Sequence, residues 1–228
     1  MFSVSFKGIR CEDAGVLCMK RPGIPAPILE QDEYNIAGRD SVLLSAVKRY
    51  GPIDIEIEFN FMRYQPEAWG DAFRRFKEWA SGSGELTFSD DTSVFYKVLR
   101  TEILTSERTS RRIGAFSVNF RCDPFTYLMS GRKKMTVAEA KHNPGILCKP
   151  TYYVTRSGNF TLTVNGKTFS GTNSMIIDTE KMQATDPEGN LVNTSASGEY
   201  SDLWLDEGEN SISTNYGTLR IVPNWRTL

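Results

Sequence analysis

Four groups of residues have side chains of the right type and spacing to do chemistry. Asp90 and Asp91 are adjacent carboxylates, a pair in which one acid could hold a proton for the other. They stand in FSDDTS between two apolar runs, where Asp ordinarily closes a turn, and the turn is the expectation. Asp206, Glu207 and Glu209 gather oxygen donors of the kind that hold calcium, but Gly208 and Asn210 among them spell a hairpin turn. Asp178, Glu180, Asp186 and Glu188 lack the central Gly and terminal Glu of a calcium loop and read as solvated loop charge. His142 and Cys148 pair a base with a thiol, yet both lie in a proline-bounded stretch with no third group to orient them. No catalytic residue, metal ligand or cofactor-binding motif is therefore expected, and no Gly-rich phosphate loop or nucleophile elbow occurs in the sequence.

Composition narrows the classes further. The 228 residues carry 27 Lys and Arg against 28 Asp and Glu, and the balance holds locally, with 20 basic and 18 acidic residues in 1–135 and 7 and 10 in 136–228. A nucleic-acid or membrane-surface binder would concentrate positive charge on one segment. With one histidine the chain has no pair for a His-based metal site. Cys11, Cys18, Cys122 and Cys148 form no C-x-x-C pair, and MFSVSFKGIRCEDAG lacks the long apolar core of an export signal. The expectation is a soluble protein of the reducing cytoplasm with four free, mostly buried thiols and no membrane span.

The elements that would carry these residues are mostly strands. Ile53, Ile55, Ile57, Phe59 and Phe61 alternate with Asp54, Glu56, Glu58 and Asn60, which puts the apolar side chains on one face and the acids on the other. Phe116, Val118 and Phe120 alternate in the same way, and VFYKVLRTEIL (94–104) is rich in β-branched and aromatic residues. Between them, Trp69, Ala72, Phe73, Phe76, Trp79 and Ala80 recur at helical spacing, which predicts one covering helix over about 66–80. Residues 136–150, with prolines at 144 and 150, read as a linker. Short strand-like runs then recur to the C-terminus, with Asn165-Gly166 as a type I′ hairpin turn, and predict a β-sandwich over 151–228. The fold class is mainly β: a domain at 1–135, of sandwich or split-barrel kind, then the linker and the sandwich.

Two surfaces stand out for binding. The acids Asp54, Glu56 and Glu58, with Arg108, Arg111 and Arg112 elsewhere in the same half, offer opposite charges on separate patches of one protomer, which suits a head-to-tail contact. Tyr152, Tyr153, Tyr200 and Tyr216 fall outside the clear core patterns and are the candidates for an exposed aromatic surface that could stack on sugars.

Taken in order, six blocks resemble the distal tail protein family of long-tailed phages with non-contractile tails. They are GRDSVLLSAVKRYGPIDIEIEF (38–59), LTFSDDTSVFYKVLR (86–100), FSVNFRCDPFTYL (116–128), NPGILCKPTYYVTRSGNFTLTVNGKTF (143–169), MIIDTEKMQAT (175–185) and WLDEGENSISTNYGTLRIVPNWRTL (204–228). The resemblance implies a non-enzymatic hub of the tail tip, in the virion after assembly in the host cytoplasm. It implies an N-terminal domain that forms a hexameric ring and a C-terminal galectin-like or carbohydrate-module-like sandwich outside it. The implied partners are further copies of the chain, the tail-tube protein, the tail-associated spike or lysin protein and receptor-binding proteins, with DNA only in transit through the lumen and no membrane. The chain is short and continuous, which fits a minimal hub without an inserted host-binding module. The alternative reading is a carbohydrate-binding adhesin that recognises host cell-wall sugars.

Overall fold

A computed structural model describes residues 2–62, 69–107, 110, 113–215 and 217–228. The chain divides into two compact units, Met1–Thr126 with Leu228, and Tyr127–Thr227.

In the first unit the strands are β1 (Val4–Phe6), β2 (Ile9–Arg10), β3 (Leu17–Cys18), β4 (Leu29–Tyr34), β5 (Leu43–Tyr50), β6 (Ile53–Met62), β7 (Gly84–Phe88), β8 (Asp91–Glu107) and β9 (Ile113–Leu128). Seven of them form one sheet in the order β2-β1-β7-β8-β9-β6-β3. The alternation of β6 works as its sequence demands. Ile53, Ile55, Ile57, Phe59 and Phe61 are buried while Asp54, Glu56 and Glu58 face outward, and the strand pairs antiparallel with β9 from Ile53↔Cys122 to Met62↔Ile113. A single register over ten residues fits this pattern, because a slip of one would turn the whole apolar row to solvent.

The helix α1 (Trp69–Ala80) lies over this sheet. Ala72, Phe76, Trp79 and Ala80 are buried, and Phe76 packs between Phe59 and Phe116 with ring centroids at 5.8 and 4.6 Å. Trp79 stands edge-on to Phe6 and Phe59, and its indole N–H donates to the Ile9 carbonyl at 3.0 Å, so the ring's one polar atom is satisfied inside an apolar cluster. The predicted helix start near 66 falls outside the described residues.

Strands β4 and β5 stand apart. They pair only with each other, from Leu29↔Tyr50 to Tyr34↔Leu43 with an irregularity between Gln31 and Glu33.

The second unit is a two-sheet sandwich. Its elements are β10 (Met135–Thr136), a short helix α2 (Val137–Ala140), β11 (His142–Asn143), β12 (Thr151–Thr155), β13 (Asn159–Val164), β14 (Lys167–Thr172), β15 (Met175–Asp178), β16 (Gln183–Thr185), β17 (Ala196–Ser197), β18 (Gly208–Glu209), β19 (Ile212–Thr214) and β20 (Thr218–Val222). One sheet runs β10-β20-β12-β15-β16 and the other β17-β14-β13-β19, with a small β11-β18 pair beside them. Tyr152, Val154, Ile177 and Ile221 from the first meet Phe160, Leu162, Val164, Phe169 and Ile212 from the second in one core. The β13–β14 hairpin closes at Asn165 (φ 47°) and Gly166 (φ 82°), the positive pair that a type I′ turn requires.

The stretch 136–150, expected as a linker, is built into this second unit. Thr136 pairs with Arg220, His142 with Glu209 and Cys148 with Leu205, and Ala140 and Cys148 are fully buried in the core. Prolines and lack of periodicity were the basis for that expectation, and the segment is held instead by two-residue strand pairings, a four-residue helix and isolated bridges, which leave no repeating pattern.

Candidate functional site

The groups with catalytic potential are placed apart and tied into structure. His142 is exposed, with Nδ1 2.9 Å from the Glu209 carboxylate, while Cys148 is buried beneath Leu205 and its thiol is pushed up to about 12 by burial. A thiol held protonated at neutral pH is no nucleophile. Asp91 closes the β7–β8 turn by accepting from the Ser93 N–H (3.1 Å) and hydroxyl (2.6 Å), and Asp90 is held below its ordinary range by the hydrogen bond from Arg21. Around Asp206–Glu209 the organiser is the buried Asn210. Its side-chain oxygen accepts from the Asp206 N–H at 2.9 Å, and its amide donates to the Asp206 and Gly208 carbonyls at 2.9 and 3.0 Å. Among the described residues no three His, Cys, Asp or Glu side chains converge as a metal site.

The acidic row on β6 is exposed, and each member has a partner within its own unit. Glu58 bridges Lys20 at 3.1 Å, Glu56 accepts from the Ser117 hydroxyl, and Asp54 accepts from Asn119 at 2.9 Å and faces Arg121 at 3.4 Å. Cross-strand polar pairs of this kind brace the β6–β9 ladder as well as colour its surface. The basic half of the expected contact, Arg108, Arg111 and Arg112, lies outside the described residues.

One member of the expected aromatic surface lies inside instead. Tyr152 is fully buried, and its hydroxyl donates to the Leu203 carbonyl at 2.7 Å. It corrects the sequence expectation: TYYVT alternates on β12, so Tyr152 and Val154 point inward together and only Tyr153 faces out. Lys134 covers Tyr153, with Nζ 3.4 Å from the ring centre. Tyr200 packs on Phe169 at 5.3 Å and donates to Asn193 at 3.2 Å. Tyr216 lies outside the described residues.

A surface the sequence reading missed is the β4–β5 hairpin. Ile28, Leu29, Tyr34, Ile36, Val42, Leu43 and Leu44 are all exposed, from 42% to 76%. A pair of strands without a further sheet neighbour cannot bury both its faces, and a stable soluble monomer rarely leaves so many large apolar side chains close together in open water. Its signal in the sequence was the pairing of LLSAVKRY with ILEQDEY around a Gly-Arg-Asp turn, which carries no alternation of apolar and polar residues. On β8 and β9 of the same unit, Leu99, Leu104 and Ile113 are exposed as well.

The two β units match known structures over nearly the whole chain. The crystal structure of Dit of phage SPP1, described as a paradigm of the hub adsorption apparatus in phages that infect Gram-positive hosts, aligns with a TM-score of 0.65 at 16% identity and covers 97% of both chains. The chain has the fold of the phage Dit hub protein. A component of the phage P2 baseplate, solved in its activated conformation with Ca, aligns with a TM-score of 0.56 at 7% identity over 96% of both chains. No family model matches the chain in sequence, nor does any curated protein. The match therefore spans both units. No described helix is long and apolar enough to cross a membrane.

Proposed function

We propose that the chain is a structural hub of a phage tail tip, with no enzymatic role. The observation that carries this reading is the fold itself, matched to a hub adsorption protein across 97% of both chains, so the match spans both units. In this proposal the first unit assembles into a ring, six copies by the resemblance of the sequence blocks, that joins the tail tube to the tail-associated spike or lysin protein and to receptor-binding proteins. DNA passes through its lumen. The second unit takes the galectin-like place outside the ring.

Support for self-assembly comes from the exposed apolar strands. The β4–β5 hairpin and the exposed Leu99, Leu104 and Ile113 side chains of β8 and β9 belong to one unit and are taken in this proposal as its two contact surfaces. A contact between unlike surfaces is head-to-tail and closes into a ring when the rotation allows it, whereas contact between like surfaces stops at a dimer. The outward acids Asp54, Glu56 and Glu58 supply a polar border, which interfaces place around an apolar centre. Near-neutral charge suits a lumen that lets DNA through without gripping it.

Light scattering and negative-stain electron microscopy of the purified chain test the reading. Rings with an open centre are expected, and a strict monomer at high concentration, with no ring in virions that carry the chain, overturns it.

A further inference from the structure

Asn165 and Gly166, which close the β13–β14 hairpin, are the one Asn-Gly step in the sequence, and this dipeptide has a reaction of its own. The backbone nitrogen after an Asn can attack its side-chain amide carbon, and a following Gly, with no Cβ and free access to unusual φ, resists that approach least. Hydroxide takes the Gly166 N–H proton, a bond forms from that nitrogen to the Asn165 Cγ, and the bond from Cγ to Nδ2 breaks. Nδ2 takes a proton from water and leaves as ammonia. Water then opens the five-membered succinimide at either carbonyl, which gives aspartate or isoaspartate. The reaction needs nothing beyond solvent and a side chain that is free to swing over the Gly166 nitrogen.

In the folded chain that freedom is removed from outside the hairpin. The Asn165 side chain reaches across to the segment 206–211, where Nδ2 donates to Asn210 Oδ1 at 2.8 Å and to Asp206 Oδ2 at 3.4 Å. Its Oδ1 accepts from the Ser211 N–H at 2.9 Å, and the Asn165 N–H donates back to the Ser211 carbonyl at 2.8 Å. The anchor is fixed as well. Asn210 is only 4% exposed, its Oδ1 also accepts from the Asp206 N–H at 2.9 Å, and its Nδ2 donates to the Asp206 and Gly208 carbonyls at 2.9 and 3.0 Å. Both lone pairs of that oxygen and both hydrogens of that amide are in use, which holds Asn210 in one orientation. Turning Cγ towards the Gly166 nitrogen takes the Asn165 amide away from all three of its partners. We propose that Asn165 is a latent modification site, kept as asparagine by the clasp of Asp206, Asn210 and Ser211, and converted to aspartate or isoaspartate when the clasp opens. The product cannot rebuild the clasp, because a carboxylate has no hydrogen to give to Asn210 Oδ1 and sets a like charge beside Asp206.

This inference holds whether or not the chain forms a ring, and its test follows the reaction directly. The full chain is incubated at mildly alkaline pH, folded in buffer or unfolded in urea, and peptide-map mass spectrometry reads the one-dalton gain and the isoaspartate at position 165. Conversion in the folded chain is expected to be slower by roughly 10- to 100-fold, since three hydrogen bonds must be lost first. Asn210→Ala removes the anchor and is expected to speed conversion in the folded chain roughly tenfold. Asp206→Ala removes only the longest of the three bonds and leaves the backbone pairing of the loop, so it serves if Asn210→Ala does not fold, with an expected gain of about threefold. Circular dichroism melts keep the comparison to folded protein. Equal rates for the folded and the unfolded wild-type chain overturn the proposal. Folded variants that convert at the wild-type rate do so too, because the hairpin alone would then protect Asn165. Slower conversion in the variants would show that the clasp activates the amide instead of restraining it, which also overturns the proposal.

Discussion

Phe76 of the helix and Phe116 of β9 stack with ring centroids 4.6 Å apart and planes 28° apart, the shortest of the aromatic contacts that fasten α1 to the sheet. Both rings are buried, and Phe59, Phe73 and Trp79 lie within reach of Phe76 on its other sides. Phe76→Ala therefore leaves a cavity enclosed by rigid rings that cannot collapse into it, and a loss of about 3–5 kcal/mol is expected in chemical denaturation. Phe73 is only partly buried beside Trp69 and Phe116, so Phe73→Ala is expected to cost less, about 1–3 kcal/mol. Equal losses for the two would show that the helix packs differently.

The same elements show how much could be read in advance. Ile53 to Phe61 and the Trp69–Ala80 face were legible because each buries one side against a continuous core, and burial on one side is what imposes a period of 2 or 3.6 on the residue types. The β4–β5 hairpin was not legible, because its exposed apolar residues, Leu29, Tyr34, Leu43 and Leu44 among them, follow no period. Tyr152 was misplaced for a different reason. TYYVT offers two interleaved faces, and the one that carries Val154 with Tyr152 points inward, where the Leu203 carbonyl accepts the buried hydroxyl.

Removal of that hydroxyl is the cleanest measure of the second unit's polar core. Tyr152→Phe keeps the ring and leaves the Leu203 carbonyl without its donor at a fully buried position. A loss of about 1–3 kcal/mol is expected from denaturant midpoints, the cost of an unpaired buried polar group. Tyr153→Phe, on the outward side of the same strand, is expected to stay within about 0.5 kcal/mol. If the two substitutions cost the same, the inward assignment of Tyr152 is wrong.

The buried thiols predict a pH dependence with a definite sign. Burial is the largest cause that raises Cys122 and Cys148 from 9.0 to about 12, with the charges of Asp54 and Asp123 adding to the effect at Cys122 and Arg226 opposing it at Cys148. In the unfolded chain these thiols ionise near their ordinary value while the folded chain still holds their protons. Their contribution to stability is therefore complete below about pH 9 and is lost as pH rises from there towards 12. Tyr152 is raised by burial too and acts in the same direction. Denaturation midpoints are expected to fall between pH 8 and 10.5, and to fall less steeply in a Cys122→Val, Cys148→Val chain. Parallel profiles for the two proteins would assign the alkaline loss to other groups.

Assembly through unlike surfaces makes a prediction that assembly through like surfaces does not. Leu43→Lys places a charge on the hairpin, and Leu99→Lys places one on β8. Both positions are exposed, so neither change is expected to lower the melting temperature of the isolated chain appreciably. In a head-to-tail ring every interface uses one hairpin and one β8–β9 surface, so each variant alone spoils all of its interfaces and stays monomeric. Mixed one to one, a Leu99→Lys chain still offers its hairpin to the intact β8–β9 surface of a Leu43→Lys chain. One good interface then forms, and the pair cannot grow because its two outer surfaces are both damaged. Analytical ultracentrifugation should accordingly show monomers for each variant and a discrete mixed dimer for the mixture. A hairpin-to-hairpin contact would instead leave Leu99→Lys fully assembled and give no mixed species, which would sink the head-to-tail arrangement.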